Sequence, residues 1–143
     1  MALETIFGAC QALALLGWAF LVAAPLARDR LVLAARLVCA LLAIAYLVQM
    51  FTITEPTDGS FSTLAGVTAL FSKSGNVMLG WTHYLAFDLF VGAWEIEDAG
   101  KEGLPHWLML VMLLLTLMVG PVGLLTYLII RTIHRARMKR NLL

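Results

Sequence analysis

The chain has 143 residues, of which 62% are hydrophobic and only 13% are charged. This composition is far more apolar than that of a soluble domain, and it predicts an integral membrane protein surrounded by a lipid bilayer. A spanning helix uses about 20 residues, so a single transmembrane helical domain over residues 1–143 leaves no room for a nucleotide-binding, nucleic-acid-binding or soluble protease fold.

The first two apolar runs are predicted to form a hairpin of two helices. The first extends from about Leu3 to Ala27 and lacks the basic leader of a secretory signal. It ends in the charged turn Arg28-Asp29-Arg30, and the second run follows from about Leu31 to Thr54. Arg36 lies close enough to the start of the second run to snorkel to the interface. Both runs are therefore interpreted as retained membrane spans.

A short apolar segment follows this hairpin. The residues from Glu55 to Ser60 favour turns, and the next apolar stretch, Phe61 to Ser72, has only 12 residues. A helix of that length is too short to cross the hydrocarbon core. The stretch is therefore predicted to be interfacial or re-entrant.

Two further spans complete the predicted fold. The third extends from about Val77 to Glu95, and the fourth from about Pro105 to Ile130. Pro121 removes a backbone donor within the fourth span and predicts a kink there. The predicted architecture is thus an all-α integral membrane bundle of four transmembrane helices, with a short interfacial segment between the second and third.

The basic residues point to conflicting orientations. The tail from Arg131 to Arg140 contains five Lys or Arg residues, which favours a cytoplasmic C-terminus and contact with anionic lipid. With four spans, the N-terminus would lie on the same side of the membrane as the C-terminus. Arg28, Arg30 and Arg36 would then lie on the side opposite to the basic tail, which conflicts with the preference of basic residues for one side. A crossing by the stretch from Phe61 to Ser72 would remove the conflict.

Asp88 is the first candidate for function, because an acidic side chain in mid-span costs at least about 2.5–3.5 kcal/mol to insert. Glu95, seven residues later, returns to within about 20° of Asp88 on a helical wheel. Trp81, Tyr84 and Gly92 share this stripe, and Trp94 lies in the same span. Rings, a glycine and two carboxyls on one face are typical of an elongated apolar pocket with polar contacts. A purely structural role, as an interhelical hydrogen bond and an interfacial charge, is the alternative.

His83 is a candidate general acid or base, although it lies about 140° from Asp88 on the wheel. Depth matching between antiparallel neighbours predicts Gln49 and either Thr126 or Tyr127 near its level. The same matching predicts a supporting polar cluster of Arg36, Glu95, Asp98 and His106 near the other surface. A neutral His83 bonded to a neighbouring helix, and a surface or capping role for His106, are the alternatives.

The sequence contains no recognisable metal site. Three histidines without a ligating cysteine pair or an H-E-x-x-H motif argue against zinc. The second span has no histidine that could pair with His83 on a haem, so no cofactor is predicted. Cys10 and Cys39 are expected at different distances from the first turn and are interpreted as unpaired packing residues.

The third span contains the stretch Trp81-Thr82-His83-Tyr84-Leu85-Ala86-Phe87-Asp88-Leu89-Phe90-Val91-Gly92, which is followed by Asp98, and the fourth contains Gly120-Pro121-Val122-Gly123-Leu124-Leu125. Together these segments resemble the ABA4-like (abscisic acid deficient 4-like) family. Plant members of that family are plastid membrane proteins required for making neoxanthin from violaxanthin. The resemblance extends from about the first span to the tail. It implies a location in a bacterial inner membrane or a plastid-type membrane.

The resemblance also implies carotenoid or related isoprenoid chemistry. The conversion proposed in plants is an isomerisation that opens an epoxide and forms an allene, which requires an acid and a base but no redox cofactor. We assign one role to Asp88 and the other to His83 or Glu95, with Trp81, Tyr84, Gly92, Trp94, Gln49 and Tyr127 as substrate-binding residues.

A non-enzymatic alternative is a carotenoid-binding or assembly subunit of a membrane complex. Both interpretations predict an apolar isoprenoid or carotenoid ligand, and a homo-oligomer or a partner membrane complex is a further expectation. A transporter is disfavoured, because the chain has too few spans for an inverted-repeat fold. Nucleic acid is not an expected partner of the basic tail.

Overall fold

The computed structural model describes residues 3–140, and every regular element in that range is helical. The elements are α1 (Leu3–Val22), a 3-10 turn (Ala24–Leu26), α2 (Arg28–Thr52), α3 (Leu64–Leu70), α4 (Ser74–Glu102) and α5 (His106–Arg140). The predicted all-α class is confirmed, and both cysteines are free.

Three helices, α1, α2 and α4, form the core of the molecule around Gly17. A Cβ on Gly17 would overlap the Leu89 side chain of α4 and would lie 3.1 Å from Cγ1 of Val38 in α2. The missing side chain therefore lets the three helices approach closely, as small residues commonly do at helix contacts in membranes. Leu89 of α4 and Leu42 of α2 are completely buried.

α5 is a helical hairpin rather than a straight helix. Val119 has φ −145° and ψ 55°, outside the helical region, and it separates a first arm (residues 106–118) from a second arm (residues 120–140). A Cβ on Gly123 would lie 2.5 Å from the Cα of Thr116, which in a straight helix would be about 10 Å away along the axis. Leu108 and Ile133, from different arms, line the same cleft. This reversal is sharper than the kink that Pro121 predicts.

The contacts with α4 give the direction of each arm. The second arm runs parallel to α4, because Tyr127 contacts Asp98 and Arg135 contacts Glu102, in the same chain order. The first arm begins just after α4 ends and runs back along it as far as Gly120, which lies against Asp88. The hairpin therefore enters and leaves at the Glu102 end of α4 and turns beside Asp88.

The prediction of four membrane-crossing helices is not confirmed. By length and composition, three helices in the described range could cross a membrane, namely α1, α2 and α5. However, α5 reverses at Val119, so both of its ends lie at the same end of the bundle. The crossing of α4, which has 29 residues, stays a prediction.

Most of the charged residues lie at one end of the bundle, here called the basic end, because the hairpin returns the tail to the end where α2 begins and α4 ends. Arg36 of α2 pairs with Glu97 of α4, and Arg135 of the second arm pairs with Glu102. Of the ten Lys and Arg residues, only Lys73 lies at the opposite end. The others belong to the first turn, the end of α4 and the tail: Arg28, Arg30, Arg36, Lys101, Arg131, Arg135, Arg137, Lys139 and Arg140. The conflict between the first turn and the tail therefore disappears.

The short segment before α4 contains α3, which has seven residues. Thr63 caps this helix, because its hydroxyl accepts a hydrogen bond from the Gly66 amide at 3.0 Å. A helix this short agrees with the prediction that the segment does not cross as a helix. Its depth in the membrane stays a prediction.

Candidate functional site at the tip of the hairpin

Asp88 lies where the α5 hairpin turns. A Cβ on Gly120 would lie 2.6 Å from Oδ1 of Asp88, so the glycine makes room for the carboxyl. Oδ2 is buried and has no hydrogen-bond partner within residues 3–140. Tyr84, one helical turn before Asp88, donates from its hydroxyl to the Leu117 carbonyl oxygen at 3.0 Å. Asp88 thus contacts protein on one side and retains an unpartnered oxygen.

Glu95 lies between α4 and the first arm and is 0% exposed. Both of its carboxyl oxygens are within 3.1 Å of the Thr116 hydroxyl. A hydroxyl has one proton and can satisfy only one of these oxygens at a time. A buried carboxyl needs a proton or a cation to offset the cost of burial, and no ion pair to Glu95 is present among the described residues. Glu95 is therefore a second group that can hold a proton beside the hairpin.

A third acidic residue, Asp98, joins the second arm to α4. The Tyr127 hydroxyl donates to Oδ2 of Asp98 at 2.5 Å, and Nη2 of Arg131 donates to Oδ1 at 2.9 Å. The Trp94 ring meets Tyr127 edge-on at 5.4 Å, and the Arg131 guanidinium lies 5.9 Å from the Trp94 ring centroid. These contacts indicate that Trp94 and Tyr127 fix the hairpin to α4. Tyr127 does not lie at the level of His83, because the second arm runs parallel to α4.

An aromatic stack approaches Asp88 from the other end of the bundle. The Phe7 and Trp81 rings stack at 5.9 Å, and the Trp81 and Tyr84 rings stack at 5.2 Å. Gln11 of α1 accepts a hydrogen bond from the Trp81 indole at 3.1 Å. Phe7 and Trp81 also line a cleft of about 470 Å³ between α1 and the start of α4. The rings therefore form a continuous apolar surface that ends at Tyr84, beside Asp88.

His83 lies on a different face of α4. Its ring stacks on Phe87 at 4.5 Å and lies 5.9 Å from Tyr46 of α2. It lines a cleft of about 520 Å³ that does not include Asp88 or Glu95. The structure therefore brings Asp88 and Glu95 to the same interface and leaves His83 outside it.

Gln49 and Gly92, two predicted substrate-binding residues, are both buried, and Gln49 also lines a cleft of about 580 Å³ between α1 and α2. Gln49 is 4% exposed, and its Oε1 accepts a hydrogen bond from the Thr82 hydroxyl at 2.8 Å. Gly92 provides room for Trp18, whose ring would lie 2.7 Å from a Cβ at this position. The space expected at Gly92 is therefore filled by protein.

The predicted polar cluster near the other surface is divided in the structure. Arg36 pairs with Glu97, and Nε2 of His106 lies 3.0 Å from the carbonyl oxygen of Val22. Glu97 also pairs with Lys101 at 2.7 Å, and these two cations lower the pKa of Glu97. Arg36 and His106 thus support the basic end of the bundle and do not reach Asp88.

Sequence reasoning missed the partners that enclose the two acids. Thr116 and Gly120 belong to an apolar run whose periodicity does not reveal a reversal, so their contacts with Glu95 and Asp88 could not be assigned. The only signal was the glycine-proline pair, Gly120-Pro121. No group of three His, Cys, Asp or Glu side chains in residues 3–140 could hold a metal ion.

Comparison with known proteins identifies the family. A family model described as ABA DEFICIENT 4-like matches residues 5–127, a range that includes the α5 reversal and ends at Tyr127. No curated protein and no solved structure matches the chain. Because the family match covers well over half of its length, this chain belongs to the ABA4-like family.

Proposed function

We propose that this membrane protein modifies a carotenoid or a related isoprenoid, as an epoxy-carotenoid isomerase that uses intramembrane acid-base chemistry. Membership of the ABA4-like family supports the substrate class. The observation that carries the proposal is the buried and unpartnered Oδ2 of Asp88 at the tip of the hairpin. A carboxyl oxygen in this state lacks the partner that buried polar groups normally have.

The aromatic stack provides a surface for the substrate's chain. Below the tip of the hairpin, α5 no longer covers α4, and Phe7, Trp81 and Tyr84 present successive rings. A polyene lying along these rings would bury apolar surface and stack on them. Its oxygenated end would then meet Asp88 and the Tyr84 hydroxyl.

The two carboxyls can provide the proton transfers that such an isomerisation requires. Asp88 gives a proton to the epoxide oxygen, and the C–O bond breaks with its electron pair going to oxygen. Glu95 then takes a proton from the neighbouring chain carbon, and the C–H electron pair forms the second double bond of the allene. Because the two acids lie about 10 Å apart along α4, the reacting end of the substrate has to move from Asp88 toward Glu95 between the two proton transfers. Atoms and electrons balance without an oxidant. Because Thr116 encloses Glu95, this role requires the first arm to move away from α4 during turnover.

The test is expression in a host that makes an epoxy-carotenoid, followed by pigment extraction and mass analysis. The wild-type chain is expected to produce an isomer of unchanged mass, and Asp88→Asn and Glu95→Gln are expected to abolish it. Glu97→Gln, a half-buried position on the same helix that does not contact the hairpin's acids, is the matched control and should retain conversion. Conversion by Asp88→Asn at the wild-type level would contradict the proposed role of Asp88.

The close packing of Asp88 against Gly120 favours a second candidate, a carotenoid-binding subunit without catalysis. In that case Asp88 would stabilise the hairpin and the ligand would occupy only the aromatic surface. The same experiment separates the candidates. A binding subunit would co-purify with unaltered pigment, and Asp88→Asn would retain that pigment.

A further inference from the structure

The cleft at His83 lies between α2, α3 and α4 and belongs to none of the chemistry described above. Its volume is about 520 Å³. Ten residues line it, and half of them have polar side chains: Tyr46, Thr54, Glu55, Asn76 and His83 are polar, whereas Phe61, Leu70, Phe71, Leu79 and Gly80 are not.

The walls of this cleft are held in place by specific contacts. Asn76 of α4 donates hydrogen bonds to the carbonyl oxygens of Glu55 at 2.9 Å and Leu70 at 3.0 Å, and its Oδ1 accepts from the Glu55 amide at 2.9 Å. Gly80 lets the Phe71 ring pack directly on α4, since a Cβ there would lie 2.6 Å from that ring. The cleft is therefore built by the fold.

Two polar side chains face the cleft without a partner. Neither the His83 ring nor the Tyr46 hydroxyl forms a side-chain hydrogen bond with any of residues 3–140. His83 is exposed and lies about 14 Å along α4 from the first residue of that helix, and if α4 crosses the membrane this is a depth at which water is scarce. An unpartnered donor at that depth is costly, and a ligand oxygen would offset the cost.

The charges around the cleft limit the class of ligand. Its one charged side chain is that of Glu55, and no Lys or Arg lines it, so an anionic lipid headgroup is disfavoured. The His83 ring stacks on Phe87, 26° from parallel, and a planar ligand ring in the cleft would extend this aromatic surface. Two free donors match a neutral ring with two acceptor oxygens.

We propose that this cleft binds the head group of an isoprenoid quinone, with the His83 imidazole and the Tyr46 hydroxyl donating to its two carbonyl oxygens. The isoprenoid tail would leave the cleft toward lipid along the exposed Phe87. The site is separate from Asp88 and does not depend on the function proposed above.

The test uses the full chain purified in detergent and titrated with decylubiquinone, with bound quinone measured after rapid separation. The expected result is saturable binding of one quinone per chain. His83→Phe retains a flat ring but removes the donor, and Tyr46→Phe removes only a hydroxyl, so each should weaken binding at least tenfold. Phe90→Leu changes an exposed ring on the same face outside the cleft, and it should bind as the wild type does.

Asp88→Asn is the second control, because it should abolish pigment conversion and leave quinone binding unchanged. The quinone site is overturned by binding that never saturates or that is equal in wild type, His83→Phe and Tyr46→Phe. It is also overturned if a hydroxylated carotenoid saturates the cleft and decylubiquinone does not. Circular dichroism of each variant distinguishes lost binding from lost folding.

Discussion

Thr116 and Tyr127 contact α4 only three residues apart, at Glu95 and Asp98, although they are eleven residues apart in α5. In a straight helix they would be separated by about 16 Å along the axis. The reversal at Val119 therefore places two polar contacts from opposite arms on the same part of α4. Both arms of the hairpin are therefore joined to α4 through acidic residues, the first arm through Glu95 and the second through Asp98.

The hairpin predicts that Gly123 tolerates no side chain. A Cβ there would lie 2.5 Å from the Cα of Thr116 and would also overlap that residue's backbone nitrogen, so the arms would have to separate. We expect Gly123→Ala to lower the free energy of unfolding by about 1–3 kcal/mol, seen as a lower melting temperature in detergent. Gly8→Ala is the control, because no atom lies within 4 Å of its Cβ position. Equal melting temperatures for the two variants would contradict the hairpin.

The distribution of basic residues predicts the orientation of the chain. Nine of the ten Lys and Arg residues lie at the basic end, so this end should face the cytoplasm or the equivalent compartment. If α1, α2 and α4 cross the membrane and α5 does not, the two termini lie on opposite sides. Four straight spans would place both termini on the same side.

Cysteine labelling can test this orientation. In a background with Cys10 and Cys39 replaced by alanine, a cysteine at Ser60 should react with an impermeant reagent from outside the cell. A cysteine at Thr132, in the second arm, should react only after the membrane is opened. Reaction of both positions from the same side would exclude the three-span arrangement.

Sequence patterns predicted α1 and α2 because each is a long apolar run bounded by charges or turn residues. The cost of burying an acid also identified Asp88 without any structure. The α5 reversal could not be predicted in the same way. The apolar run continues without interruption from the first arm through Val119 to Ile130 in the second, so hydrophobic periodicity does not distinguish a crossing helix from one that folds back.

The partners of the predicted residues depended on that reversal. Depth matching assumed that α5 runs antiparallel to α4 over its whole length, which is true only of the first arm. Tyr127 was therefore assigned to the level of His83 and is found at Asp98. The helical wheel placed His83 away from Asp88. The cleft that His83 lines could not be predicted, because it depends on how Asn76 holds the segment before α4 against that helix.

Removing the Thr116 hydroxyl should destabilise the hairpin, because Glu95 would lose its hydrogen-bond donor while remaining buried. We expect Thr116→Val to lower the free energy of unfolding by about 1–3 kcal/mol. Thr126→Val is the matched control, since the Thr126 hydroxyl donates only to the carbonyl oxygen of Val122 in its own helix. If the hydroxyl acts through Glu95, the double variant Thr116→Val with Glu95→Leu should recover part of the loss. A double variant less stable than Thr116→Val would contradict this coupling.

The Glu102 carboxyl predicts how acid affects the base of the hairpin. Arg135 donates to Glu102 from Nε at 2.8 Å and lowers the pKa of Glu102 below its ordinary value of 4.5. A carboxyl with a lowered pKa stabilises the fold above pH 4.5, and this contribution is lost as the pH falls through the folded-state pKa. Because the Arg135 side chain of this pair is exposed, added salt should weaken the effect.

The measurement is the melting temperature in detergent between pH 7 and pH 3 for wild type, Glu102→Gln, Arg135→Gln and the double variant. Glu102→Gln should melt below wild type at neutral pH, and the difference should disappear toward pH 3. In the Arg135→Gln background the same substitution should change the melting temperature little at any pH, because Glu102 has already lost its main partner. If the difference in melting temperature between Glu102→Gln and wild type instead grew as the pH fell, its pH dependence would have the opposite sign to that expected for this ion pair. Such a result would contradict the contact between the second arm and the end of α4.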